Sequence, residues 1–485
     1  MKPIPPPRVA VIGGGFSGAF FAAQLAKYSQ HPLIITVIEP RAAIGGGVAY
    51  STPDPAHRIN VPASRMTLFP ETPTDFDDWF RRGGGLETDP EALWTDGAVY
   101  PRRAAFARYV KQILERRRHE HPDVTIEHVR DAATAVEPAG ATGWRIYLAQ
   151  GGHLEADITV LATSHPPPGM PALIARNLAD DPGVIANPWR PDALDQVAPD
   201  DDVLIIGTGL TMADVVASLT HRGHRGAITA FSRRGLLPRG HAKTPVPAPF
   251  AWYASHQPPP GLLALLRQVR RQIAETNLPW QSVFDDVRAN GQALWRQLGP
   301  ADRRRFLRHL RVYWDSHRYR IAPQIEKILA DKQHDQSLRV LAASLVSARR
   351  EGEKIGIVVK PRRAPSDQSK SILVDRVVLT TGPAHGTVVN QNPALHSLAA
   401  RGLLQADALG LGVSVDAQGQ VIAQDGASQK TLLVVGPLAR EQYGELMGLP
   451  QVAAQPNAVA AHVASFLNNR RFPVLKELAI VTTES

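Results

Sequence analysis

The hydrophobic pattern opens with a short run rich in β-branched residues, Arg8 to Ile12 (RVAVI), which leads into GGGFSG and then a segment rich in Ala, Phe and Leu at helical spacing. An apolar run without alternation suits a strand covered on both faces, and the spacing that follows predicts a helix packed on it. Ile35 to Ile38 predicts a second strand, so the segment reads as a βαβ unit with Gly13, Gly15 and Gly18 forming GxGxxG in the strand-to-helix turn. Gly13 permits the tight turn, Gly15 lets a pyrophosphate approach the backbone, and Gly18 lets the helix pack close to the strand. Phe16 and Ser17 start a helix whose N-terminal N–H groups face the phosphate charge. Glu39 lies 21 residues past Gly18, at the end of the second strand, where a carboxylate can accept hydrogen bonds from a ribose hydroxyl.

The same pattern returns at Asp202 as DVLIIGTGLTMADVVASL, with Gly207 and Gly209 in the turn and Leu210 and Thr211 at the helix start. Met212 occupies the third glycine position, and its side chain should push the helix away from the sheet. Arg233 lies 21 residues past Met212, the offset that places Glu39 in the first copy. An acid there suits a free ribose hydroxyl and an arginine suits a 2′-phosphate, so Ser232, Arg233 and Arg234 favour NADP over NAD. Both copies close alike: Asp157 leads into ITVLATS and Asp375 into RVVLTTG. The repeat predicts an α/β fold of two Rossmann-like dinucleotide-binding domains. The first is discontinuous, with residues 1–165 and a return over 376–485. The second spans 166–375 and carries a helical insertion over 245–335.

Composition narrows the chemistry. With 44% hydrophobic and 20% charged residues over 485 positions, the chain can bury a sizeable core. It has no cysteine, which excludes disulfides, iron–sulfur clusters and thiol redox chemistry. A net charge of +9 suits nucleic acid, phosphate-rich cofactors or anionic substrates alike. The strongest basic stretch, Asp302 to Trp314, predicts an amphipathic helix with Phe306, Leu307, Leu310, Tyr313 and Trp314 on one face. Its arginine face lacks interleaved aromatics, so it reads as solvated, and no nucleic-acid partner is expected. No run of 18 apolar residues predicts a membrane helix, and the prolines in MKPIPPPRVAVIGGG break any leader-like stretch, so a cytoplasmic protein is expected. His165 before three prolines reads as part of a stiff linker, and His241 as a surface-loop residue. No ligand spacing predicts a metal.

These motifs resemble the two-dinucleotide-domain flavoproteins, in which the first domain holds FAD and the second a nicotinamide. Ala162, Thr163 and Ser164 are similar to the ATG hinge between the domains of such enzymes, with serine for glycine, and TTG at Thr380 to Gly382 is a second version. The stretch Gly45 to Pro70 resembles bacterial FAD/NAD(P)-binding proteins related to class B flavin monooxygenases, as do segments from Tyr313 and from Val434. The resemblance implies FAD and NADP(H) as cofactors. It also implies that Gly46 and Gly47 lie against the flavin, with Asn60 at its edge and Met66 nearby. The Pro62 to Met66 spacing is similar to a PxxxM stretch of N-hydroxylating monooxygenases. Gly436 matches the glycine of a Gly-Asp pair that binds the ribityl chain, but Pro437 replaces the acid. The helix over Gln451 to Phe466 is expected to point its N-terminus at the flavin pyrimidine.

Three functions remain open on the sequence. Reduced FAD could activate oxygen to hydroxylate a small nucleophilic substrate such as an amine. It could instead pass electrons to a protein or quinone acceptor. The chain could also bind nucleotides without turnover. No residue is assigned a catalytic role, and the oligomeric state carries no sequence signal.

Overall fold

The apolar runs lie in the middle of two parallel sheets, where helices cover both faces, in a computed structural model describing residues 5–140, 143–163, 166–243, 251–365 and 368–480. The first sheet runs in the order Gln420–Ile422, Ser428–Val434, Ile158–Leu161, Arg8–Ile12, Leu33–Ile38, Val124–Val129. Its neighbours are parallel except for the hairpin formed by the first two. The second runs Lys370–Val374, Lys354–Pro361, Leu338–Glu351, Ile228–Ser232, Val203–Ile206, Arg376–Leu379, Val184–Ile185. Its first three strands are an antiparallel meander and the rest are parallel. A small antiparallel sheet, Ala133–Ala139, Gly143–Leu148 and His153–Ala156, stands beside the first.

The repeat holds down to single bonds. Asp157 accepts the Arg8 N–H at 2.7 Å and Asp375 accepts the Asp202 N–H at 2.8 Å, so each acid before a closing strand anchors the start of a central strand. At the other end, the Ala162 N–H donates to the Ile12 carbonyl and the Thr380 N–H to the Ile206 carbonyl, at 2.8 and 2.9 Å. The two glycine turns therefore sit at matched corners of matched sheets.

Helices complete the layers. Phe16–Tyr28 packs between the first sheet and the long helix Gln451–Ile480, burying Phe20, Phe21 and Leu25 fully. In the second domain Leu210–His221 packs on Pro323–His334, sharing a core with Ile325 and Leu329.

Two expectations change here. The strand Arg376–Leu379 belongs to the second sheet, so the chain returns to the first domain after this strand and not at 376. The helix Pro323–His334 lies in the second domain's own helical layer, so the insertion ends before it and not at 335. An apolar stripe looks the same on a crossover helix as on an inserted one, which is why sequence did not separate them. Met212 is fully buried in the core that Val203, Ile205 and Val216 share, so its side chain fills the space between helix and sheet. An unbranched thioether adapts to such gaps.

Candidate cofactor and substrate site

Each turn needs its first glycine for the same two reasons. Gly13 has φ +107° and a Cβ there would stand 2.3 Å from the Ala162 carbonyl oxygen; Gly207 has φ +123° and a Cβ would stand 2.4 Å from the Thr380 carbonyl oxygen. Gly18 also fits only glycine, since a Cβ would come within 2.0 Å of the Gly13 carbonyl oxygen. Beyond these turns, Phe16–Tyr28 and Leu210–His221 start with no side-chain cap and no acid in the first turn. Their N-terminal N–H groups are thereby left for an external anion. Nothing lies within 4 Å of a Cβ at Gly209, so Gly209, Leu210 and Thr211 border open space.

The first turn is more enclosed. A Cβ on Gly47 would come within 2.9 Å of the Gly15 Cα, so Gly47 lies backbone against backbone over the turn, while Gly46 is packed against Ser51 and Ala107. Glu39 is buried at its corner, accepting the Gly14 N–H at 3.0 Å on one oxygen and the Arg41 backbone and guanidinium at 3.0 and 2.9 Å on the other. Thr163 packs against Gly13, and its hydroxyl is buried without a hydrogen-bond partner among the described residues. Gly436 arrives from the opposite side at φ +81°, so close that a Cβ would stand 2.5 Å from the Ser17 hydroxyl. Gln455 holds it there, accepting the Gly436 N–H at 2.9 Å and donating to the Val434 carbonyl at 3.0 Å. Residues far apart in sequence thus converge on the first turn, and the orphaned Thr163 hydroxyl and uncapped helix fit a dinucleotide there.

The residues read for a 2′-phosphate divide. The Ser232 hydroxyl is already engaged, bonded to Thr208 at 2.8 Å and accepting the Gly235 N–H at 3.0 Å. Arg234 donates to the Tyr313 hydroxyl at 2.6 Å and stacks 4.8 Å from its ring centre. Arg233 is exposed, with no partner among the described residues. Of the three, only Arg233 presents a free charged group.

Other expectations also shift. Met66 is 4% exposed within the first domain's core. Asn60 is half-buried, and its backbone carbonyl meets Nε2 of His241 at 2.8 Å. His241 is accordingly not a surface-loop residue: burial pulls its imidazole down to about 4. His165 and Ser164 lie outside the described residues.

Two side-chain contacts fasten the domains across the site. Arg103 makes a two-pronged, buried pair with Asp214, both bonds at 2.9 Å. His57, buried, contacts the Ser218 hydroxyl at 3.0 Å and Thr52 at 2.7 Å. Sequence reading missed both, together with Gln455.

Residues 10–166 match a family model described as FAD-NAD(P)-binding. Among solved structures, ornithine N-hydroxylase from Kutzneria sp. 744 superposes with a TM-score of 0.61 at 17% identity, covering 96% of this chain and 100% of that one. L-Lysine 6-monooxygenase from Pseudomonas syringae gives 0.61 at 18% identity, covering 96% and 99%. Ornithine hydroxylase from Pseudomonas aeruginosa gives 0.62 at 14%, covering 96% and 100%. The fold is that of the two-dinucleotide-domain flavoproteins. No curated protein matches in sequence.

A flavoprotein fold over nearly the whole length accounts for the insertion as an integral part of the chain. The helix expected over 302–314 runs from Pro300 to Arg318 with a wider turn at Phe306–Leu310, and its apolar face borders a cavity of about 530 Å³. Among the described residues, no helix is long and apolar enough to cross a membrane.

Proposed function

We propose that the chain is an FAD-dependent NADPH oxidoreductase acting as a flavin monooxygenase of the N-hydroxylating type on a small molecule. The observation that carries this reading is the pair of matched turns. Each has an uncapped helix start and a first glycine pressed on a closing strand, and both lie in one chain. The solved structures named above are an ornithine N-hydroxylase, described with reduced FAD, NADP+ and L-ornithine, an L-lysine 6-monooxygenase and an ornithine hydroxylase.

Bound at the first turn, FAD would supply two-electron transfer and oxygen activation. The chain's own residues do the rest. The N–H groups after Gly15 would hold its diphosphate, Glu39, beside its bonds to Gly14 and Arg41, would accept from the ribose, and Gly436 and Thr163 would border the bound group. At the second turn the N–H groups after Gly209 would hold the nicotinamide dinucleotide and Arg233 would meet its 2′-phosphate. The Arg103–Asp214 pair keeps the two turns in one fixed relation, which hydride transfer requires because reacting atoms must sit about 3–3.5 Å apart.

The test is spectroscopic and chemical. Purified protein should carry oxidised flavin, NADPH should bleach it without oxygen, and coupled turnover on amines should add one oxygen to product mass. Bleaching followed only by electron transfer to artificial acceptors would assign a reductase, and bound flavin that NADPH never reduces would assign a binding protein.

A further inference from the structure

The cavity of about 530 Å³ lies among the insertion helices and falls within the size range of small-molecule pockets. Its wall is mostly apolar, with Leu262, Leu265, Val269, Leu294, Phe306 and Leu310 facing in. In the helix Gly261–Glu275 only Gln272 is fully buried; Leu262, Leu265 and Val269 are half-buried, packing on small clusters around Leu294 and Trp295 and bordering the cavity with the rest of their surface. The uncovered part of that face forfeits transfer and dispersion energy that a closed core would recover.

One end of the cavity is polar and unbalanced. The segment that starts at Gly436, against Ser17, continues to Arg440, Gly444 and Glu445 in the cavity wall. Arg440 is 6% exposed, yet among the described residues no carboxylate lies within ion-pair distance of it. Its Nε reaches only the Gly444 carbonyl, at 3.4 Å. Glu445 cannot serve, because Arg318 takes both its oxygens at 3.1 and 2.6 Å. Asp315, a further nearby acid, pairs with Arg311. Arg288 is a second guanidinium that meets no carboxylate among the described residues, bonded to the Leu449 carbonyl and Gln451. Burial and the adjacent Arg318 pull Arg288 down to about 10, as crowding of positive charge requires. The Tyr319 hydroxyl, which interacts with Arg440 electrostatically, is buried without a hydrogen-bond partner among the described residues. Tyr319, Asp315 and Glu445 favour the Arg440 charge from beyond ion-pair distance, which leaves its direct contact position for a further anion.

We infer that this chamber binds a ligand with an apolar chain and a carboxylate head, the chain among the insertion leucines and the head on Arg440. This is a binding site apart from the amine-oxidising reaction proposed above, and it stands independently of that reading.

Titration calorimetry on the purified full chain without NADPH, using decanoate, dodecanoate, dodecanol and dodecylamine, tests this. Affinity should rise about fourfold per added methylene. Dodecanoate should bind at least about tenfold more tightly than dodecanol or dodecylamine. R440Q should erase the dodecanoate advantage and leave dodecanol unchanged, and L265W, which fills the chamber, should weaken every ligand. If R440Q does not fold, the carboxylate-to-alcohol ratio on the unaltered chain still decides. Absence of saturable dodecanoate binding, or equal binding of dodecanoate and dodecylamine, overturns the inference. Carboxylate binding in a protein whose flavin NADPH never reduces would sink only the redox reading, and flavin reduction without carboxylate binding would sink only this one.

Discussion

Replacing Arg233 by alanine should separate the two pyridine nucleotides. Ser232 spends its hydroxyl on Thr208 and Gly235, and Arg234 is tied to Tyr313, so Arg233 alone offers a free guanidinium at the end of Ile228–Ser232. A hydrogen bond to a charged group contributes about 1.5–3 kcal/mol, and solvent exposure places this one near the lower end. About 1.5–2 kcal/mol corresponds to a roughly 10- to 30-fold fall in kcat/KM. Anaerobic reduction of the bound flavin, followed over a range of NADPH and NADH concentrations, should show that fall for NADPH and little change for NADH. Arg234→Ala should have the smaller coenzyme-specific effect. Equal losses with both coenzymes, or a larger NADPH-specific loss in Arg234→Ala, would refute the assignment.

Asp214→Asn should strand the buried Arg103 charge and destabilise the protein by about 3–5 kcal/mol in urea unfolding, whereas Arg103→Met with Asp214→Leu should recover most of that loss. Gly13→Ala should strain the first turn by about 1–3 kcal/mol and lower flavin content, read as yellow absorbance per protein. Gly209→Ala, with open space at its Cβ, should fold normally and weaken NADPH binding. His241 has its folded pKa depressed to about 4, so its stabilising contribution is complete above the ordinary value of about 6.5 and is lost as pH falls towards 4. The melting temperature of the parent should therefore drop more steeply over that window than that of His241→Gln.

What could be read from sequence was what local backbone chemistry demands. Gly13, Gly18 and Gly207 are required by contacts with neighbouring backbone, and such requirements leave a motif. Asp157 and Asp375 could be seen as a repeated feature, although their task of anchoring the central strands could not. The partners that fix the site are another matter. Asp214 meets Arg103 across 111 positions and Arg318 meets Glu445 across 127, pairings that exist only once the sheets and insertion have packed. The polar character of Asp214 and Ser218 on the apolar helix Leu210–His221 was the available signal, since buried polar groups on such a face need partners. Ser232 misled because a serine beside arginines looks like a phosphate ligand, whereas its hydroxyl closes the loop to Gly235.

The proposed function requires one chain to bring a flavin within hydride reach of a reduced nicotinamide. Anaerobic rapid mixing of the purified protein with NADPH, carrying hydrogen or deuterium at the transferred position, measures this directly. Bleaching of the oxidised flavin in a single turnover, slowed by deuterium, is the predicted result. A flavin that stays oxidised, or a protein that retains none when supplied with FAD, would contradict it.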